Sequence, residues 1–152
     1  MKWSSLNRPP EGGWQPMVPE LLVEDFEKSL DFWCGIAGFE IAYDRPEEKF
    51  AYLELVLRSG ASSQIMLHQR CDRWETGSME YPLGQGVMFQ IRVDRLQPII
   101  DATEKQDWPI YSPLRDIWRE TGNVQSGQRE LFLLDPDGYL LMLNEDLGVR
   151  PL

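Results

Sequence analysis

The chain has 152 residues, of which 42% are hydrophobic and 26% charged, a composition that excludes global disorder and fits one well-buried domain. Fifteen Lys and Arg stand against 25 Asp and Glu, a formal net charge of -10. Such a balance argues against sequence-independent nucleic-acid binding, because a phosphate backbone releases its counterions only to a cationic face, and it leaves neutral or cationic molecules as the expected partners.

Residues 1–16, "MKWSSLNRPPEGGWQP", hold too many Pro and Gly breakers for a regular element and form an arm or a disordered lead. They contain no apolar h-region of a secretory signal, and no apolar run in the chain approaches the roughly 18 residues of a membrane span. "MVPELLV" then reads as a strand, and "EDFEKSLDFWCGIAG" as a helix with Phe26, Leu30, Trp33 and Ile36 at helical spacing. Trp33 belongs to the buried face of that helix. "FEIAYDR", "KFAYLELVL" and "SQIMLHQ" are three further strands. The order then repeats: "GVMFQIRV" is a strand and "DRLQPIIDATEKQ" a helix with Pro98 in its first turns, followed by "WPIYSP", "RELFLLD" and "YLLMLNE" as strands. In both halves an Asp after a Val opens the helix, where its side chain suits an N-cap. "DPDG" is a hairpin turn, since Pro136 sets φ at one turn position and Gly138 accepts a positive φ. The expected organisation is therefore an arm, 1–16, and one domain, 17–152, made of two βαβββ modules at about 17–70 and 86–146. Cys34 and Cys71 are too few and too oddly spaced for a disulfide framework and read as reduced thiols of a cytoplasmic protein. Cys34 sits in an apolar segment, whereas Cys71, in "HQRCDRW", is more exposed; nothing marks it as a nucleophile.

With "VEDFEKSLDFWCGIAGFEI" opening the first copy and "FLLDPDGYLLMLNE" closing the second, the chain resembles the vicinal oxygen chelate superfamily, the glyoxalase, bleomycin-resistance and extradiol-dioxygenase group, from about Met17 to Glu145. The resemblance implies an α+β fold in which two βαβββ modules form a curved eight-stranded mixed sheet around a concave site, often completed across a homodimer. It also implies where a divalent metal would be held: at Val18, His68, Met88 and Met142. Valine cannot ligate, and thioether sulfur suits soft Cu(I) rather than the harder ions of such enzymes. The neighbours Pro19, Gln69, Val87, Phe89, Leu141 and Leu143 do not rebuild a ligand set. Glu20, Gln90 and Asn144 share facing parity with the four positions, so a shifted set of Glu20, His68 and Gln90 is the alternative.

The pattern is most similar to metal-free bleomycin-resistance-type members, which sequester a cationic aromatic antibiotic without modifying it. On that basis the expected function is metal-independent binding of an aromatic or cationic small molecule by a cytoplasmic homodimer. On this reading no cofactor, catalytic residue, nucleic acid or membrane is expected. Excess negative charge and aromatic side chains supply what such a ligand needs. The expected ligand-binding residues are His68, Met88, Gln90 and Met142, with Trp74, Tyr81, Trp108, Tyr111, Trp118 and Glu120 in or near segments joining strands. The methionines serve equally well as core filler. Two other classes stay open: a metal-dependent lyase, isomerase or dioxygenase with displaced ligands, and a metal-independent enzyme using His68 or Glu54 as acid or base.

Overall fold

The computed structural model describes residues 2–152, which fall into two compact units. The first comprises the described residues up to Leu83 together with Asp135–Gly138; the second comprises Gly84–Leu134 and Tyr139–Leu152. Together they hold eight strands and two α-helices in the order βαβββ–βαβββ, the α+β arrangement expected from the repeat.

In the first unit, β1 (Glu20–Val23), α1 (Phe26–Trp33), β2 (Glu40–Arg45), β3 (Phe50–Val56) and β4 (Ser62–Gln69) build a mixed sheet of order β1-β4-β3-β2, with β1 parallel to β4. Helix α1 starts where Asp25 accepts the Lys28 amide at 3.1 Å, an N-cap in the expected place. Phe26, Leu30 and Trp33 are buried along one stripe of the helix, which packs on β4. The cross-strand register puts Leu21, Ala51, Leu53, Ile65 and Leu67 on one face of the sheet, none more than 5% exposed. Burying each of the Leu and Ile side chains stabilises by roughly 1.5–3 kcal/mol, so this face is the unit's core. The fully buried Trp33 still needs a partner for its indole N–H, and donates it to Asp135 Oδ2 at 3.1 Å.

The second unit contains β5 (Met88–Arg92), α2 (Gln97–Lys105), β6 (Ser112–Thr121), β7 (Val124–Leu134) and β8 (Leu140–Pro151), in sheet order β5-β8-β7-β6 with β5 parallel to β8. Ile91, Val93, Leu96, Ile99, Leu131, Leu133, Leu141 and Leu143 are its buried apolar residues. Pro98 stands in the first turn of α2 as expected, but Asp94 does not cap it: Leu96 holds the cap position, and its amide is taken by Glu145 Oε2 at 2.8 Å. The expected strand at "WPIYSP" lies too early. Strand β6 begins at Ser112 and runs through "SPLRDIWRET", which apolar periodicity leaves looking like a joining segment. It is an edge strand with mostly exposed side chains, specified by main-chain pairing with β7 and by the cross-strand ion pairs Arg115–Glu130 and Asp116–Arg129. Strands β7 and β8 are likewise longer than their apolar cores, β8 reaching Pro151.

Between β7 and β8, "DPDG" turns the chain as its residues dictate. Gly138 has φ 89°, its amide donates to the Asp135 carbonyl at 3.0 Å, and the Asp137 amide donates to Asp135 Oδ1 at 2.9 Å.

Candidate functional site

The face of the first sheet opposite its core carries Glu20 and Leu22 on β1, Phe50, Tyr52 and Glu54 on β3, and Gln64, Met66 and His68 on β4, all in register. Polar groups at these positions depart from a simple apolar alternation and mark the face as chemically specialised.

Half of it is covered by the arm. Residues 5–8 add alongside β2, with the Leu6 amide donating to the Ile41 carbonyl and the Arg8 amide to the Ala42 carbonyl, both at 2.9 Å. The arm then turns onto Glu54, which is only 3% exposed. Its carboxylate accepts the Glu11 amide at 2.7 Å, the Gly12 amide at 2.9 Å and the Ser62 hydroxyl at 3.0 Å, with the Arg8 guanidinium 3.5 Å away. Burial pushes the Glu54 carboxyl up, but the two amides, the hydroxyl and Arg8 outweigh it and hold the group below its ordinary value. Gln64 donates to the Gly13 carbonyl at 2.6 Å and accepts from the Tyr52 hydroxyl and, at 3.3 Å, from the Gln15 amide. Trp14 meets Tyr52 and Tyr43 edge-on, at 5.5 and 6.1 Å between centroids, and the two tyrosines stack at 5.1 Å. A side chain on residue 12 would place its Cβ 2.3 Å from the Ser62 Cβ, so only glycine lets the arm approach this closely. Glu54, weighed above as an acid or base, is engaged as an ionised clamp on main-chain amides.

His68 organises the other half. The ring is 5% exposed, with Nδ1 3.3 Å from Glu20 Oε1 and Nε2 3.7 Å from Cys71 Sγ. Phe50 and Trp74 meet the ring edgewise, at 5.9 and 6.1 Å. Trp74 is half exposed and carries the Arg73 guanidinium 4.5 Å from its ring. Val18 packs with Tyr43 and Met66 against Ala42, Phe50 and Tyr52.

Of the remaining expected residues, Tyr81 is in the first unit and the others are in the second. Tyr81 lines a groove of about 230 Å³ with Glu24, Lys28, Met79 and Asp137, and neither His68 nor Trp74 borders it. In the second unit Met142, 5% exposed on β8, is the register partner of Gln90 on β5 and of Phe132 on β7, while Met88 opens β5 and is 43% exposed. Trp118 and Glu120 are not in a joining segment: both belong to β6. The Trp118 ring lies over Gly127, where an added Cβ would sit 2.7 Å from it, and the Arg150 guanidinium stacks 4.1 Å above. Trp108 ties its indole N–H to the Leu134 carbonyl at 3.0 Å, whereas Tyr111 is 62% exposed beside the start of β6.

A divalent ion does not fit this donor set. Among the described residues no three or more His, Cys, Asp or Glu side chains form a group able to hold a metal. Val18 offers no donor and is packed on aromatics, Met88 and Met142 offer thioethers, and His68 is the single imidazole. The residues whose contacts were not expected from the sequence are the arm's clamp, Glu54 with Gln64, and Cys71 beside His68. The polar interruptions at Glu54 and Gln64 were the visible signal for the first, and the three-residue spacing of His68 and Cys71 for the second.

Comparison with known proteins gives a consistent lineage. Residues 17–143 match the model of the Glyoxalase/Bleomycin resistance protein/Dioxygenase superfamily. A probable lactoylglutathione lyase of Vibrio cholerae is 26% identical over 125 residues, covering 81% of this chain and 84% of that protein. A superfamily member from Vibrio splendidus 12B01 is 32% identical, covering 86% of this chain and 97% of its own, with a TM-score of 0.39. TioX from Micromonospora sp. ML1 is 18% identical with a TM-score of 0.59, over 88% of this chain and all of its own, a likeness of fold.

Proposed function

Because this chain belongs to the Glyoxalase/Bleomycin resistance protein/Dioxygenase superfamily, yet holds valine and methionine where the superfamily pattern calls for metal ligands, we propose that it is a metal-independent small-molecule binding protein. The single observation that carries this reading is the donor census: Val18, Met88 and Met142 cannot grip a hard divalent ion, and a single imidazole does not suffice. The ligand class follows from the side chains. A net charge of -10 attracts cations; in the first unit Trp74 beside His68 offers an aromatic face to a flat ring, and in the second unit the thioethers of Met88 and Met142 are apolar and polarizable. The working assignment is a cationic aromatic molecule, an antibiotic of the bleomycin type among them, held reversibly by a cytoplasmic homodimer.

Metal analysis of the purified protein, paired with tryptophan fluorescence titration against bleomycin and smaller aromatic cations, tests this. The expected outcome is saturable quenching without stoichiometric metal. Stoichiometric Mn, Fe, Ni or Zn would overturn it and favour a metal-dependent lyase, the activity named for the Vibrio cholerae relative.

A further inference from the structure

Beyond reversible binding, and independently of it, we propose that Cys71 is a nucleophile toward conjugated carbonyl compounds, with His68 as its proton acceptor and Glu20 as the residue that orients the imidazole. The three side chains form a linear relay in the first unit. Cys71 Sγ lies 3.7 Å from His68 Nε2, within hydrogen-bond reach for sulfur, and His68 Nδ1 lies 3.3 Å from Glu20 Oε1. That is the nucleophile–base–orienter geometry of activated thiols, reached here by residues 48 and 3 positions apart along the chain.

Exposure distinguishes this relay from a structural contact. Cys71 is open to solvent while the imidazole is 5% exposed, so an electrophile reaches the sulfur and water is largely kept from the base. The ring is also held: Phe50 and Trp74 abut it edgewise, and a proton on Nδ1, the nitrogen that faces Glu20, leaves Nε2 to accept from sulfur. The backbone turns sharply just past the thiol, with positive φ at Asp72 (62°) and Trp74 (55°), and the turn brings the half-exposed Trp74 indole back against His68. An aromatic wall against the imidazole that faces the sulfur suits a flat, conjugated electrophile. The step balances without a co-reactant. The Sγ–carbon bond forms at the β-carbon as the alkene π pair moves onto the carbonyl, the thiol proton passes to His68 Nε2, and the same proton then returns to the α-carbon.

The second thiol is an internal control. Burial, with help from the Glu40 and Asp31 charges, pushes the Cys34 thiol up to about 12, so it stays protonated and inert in the folded chain.

The test uses acrylamide as the probe on the full chain, with the rate of adduct formation at each cysteine followed by peptide mass spectrometry from pH 6 to 9. At pH 7 Cys71 should react about tenfold faster than the same cysteine in the free peptide "HQRCDRW", a modest share of the roughly 10²–10⁴-fold that a positioned base contributes in enzymes. Cys34 should stay unmodified until the protein is unfolded. His68→Asn should return Cys71 to the peptide's rate and pH profile, and Glu20→Gln should lower the rate with a displaced profile, both judged on protein whose circular dichroism matches wild type. A Cys71 rate equal to the peptide's in the wild-type protein would overturn the proposal whether or not the variants fold. So would a rate and profile unchanged in folded Glu20→Gln and His68→Asn. Neither result bears on the metal analysis or the quenching titration, so the two readings fail separately.

Discussion

Replacing Glu54 with glutamine should release the N-terminal arm. The carboxylate receives the Glu11 amide on Oε1 and the Gly12 amide on Oε2, at 2.7 and 2.9 Å, while Ser62 and Gln64 also donate to Oε2 and Arg8 approaches Oε1. A glutamine of the same size presents an NH₂ group to one of those two amides whichever way it is turned, so one donor always faces a donor. Hydrogen bonds to a charged acceptor contribute about 1.5–3 kcal/mol each. One is lost outright and the other weakened to a neutral bond, a gross loss of about 3 kcal/mol or more by the same scale. Undocking limits the damage, since a freed arm regains water on its amides, and the expected net destabilisation is about 2–3 kcal/mol. At roughly 2–4 °C per kcal/mol for a chain of this size, Tm should fall by about 5–10 °C. Urea denaturation measures the total, and hydrogen exchange at the Glu11 and Gly12 amides reports the arm itself. Acid adds a second signature. Because the folded Glu54 carboxyl sits below its ordinary value, its stabilisation is complete above the unfolded value and is lost as pH falls through the folded one. Glu54→Gln should abolish that acid limb. A loss under about 0.5 kcal/mol with both amides still protected would refute the idea that this carboxylate anchors the arm.

Asp137 should behave in the opposite sense. Burial and the nearby Glu24 and Asp25 charges raise its carboxyl above the ordinary value, against the Glu24 amide and the Ser29 hydroxyl that favour the ionised form. Its ionisation therefore costs stability as pH rises through the raised value, and Asp137→Asn should be at least as stable as wild type at pH 7, with any advantage vanishing by pH 3; urea midpoints across that range would show it. Gly138→Ala demands a positive φ of 89° from an L-residue and puts a Cβ 2.5 Å from the Pro82 Cβ, so a loss of about 2–4 kcal/mol is expected, measured by thermal denaturation. Met142→Glu buries a carboxylate on β8 and should weaken quenching by aromatic cations at least tenfold; unchanged affinity would remove Met142 from the ligand's surroundings.

The elements legible in the sequence were those whose residues face a core. Alternating Leu21, Val23, Leu53, Ile65 and Leu67 give a two-residue period that only a strand with one buried face produces, and Phe26, Leu30 and Trp33 give the helical one. Asp25 announced its helix because capping is a contact three residues long. Strand β6 was misplaced because an edge strand pairs through its backbone and leaves charged side chains in water, so its apolar pattern carries little information. The start of α2 escaped for a similar reason: the group that satisfies its first amide, Glu145, lies 49 residues away.

The same division runs through the site. Which side chains stand at Val18, His68, Met88 and Met142 is a property of the sequence, and with it the absence of hard donors at three of them. Tertiary structure alone decided the contacts. Glu20 reaches His68 across 48 residues because neighbouring strands bring distant residues to one sheet face, and the arm reaches Glu54 across 43 because its pairing beside β2 carries residues 11 and 12 onto that face. Side-chain identity follows from local sequence, whereas a hydrogen bond needs two groups placed within about 3 Å, a distance only the completed sheet can set.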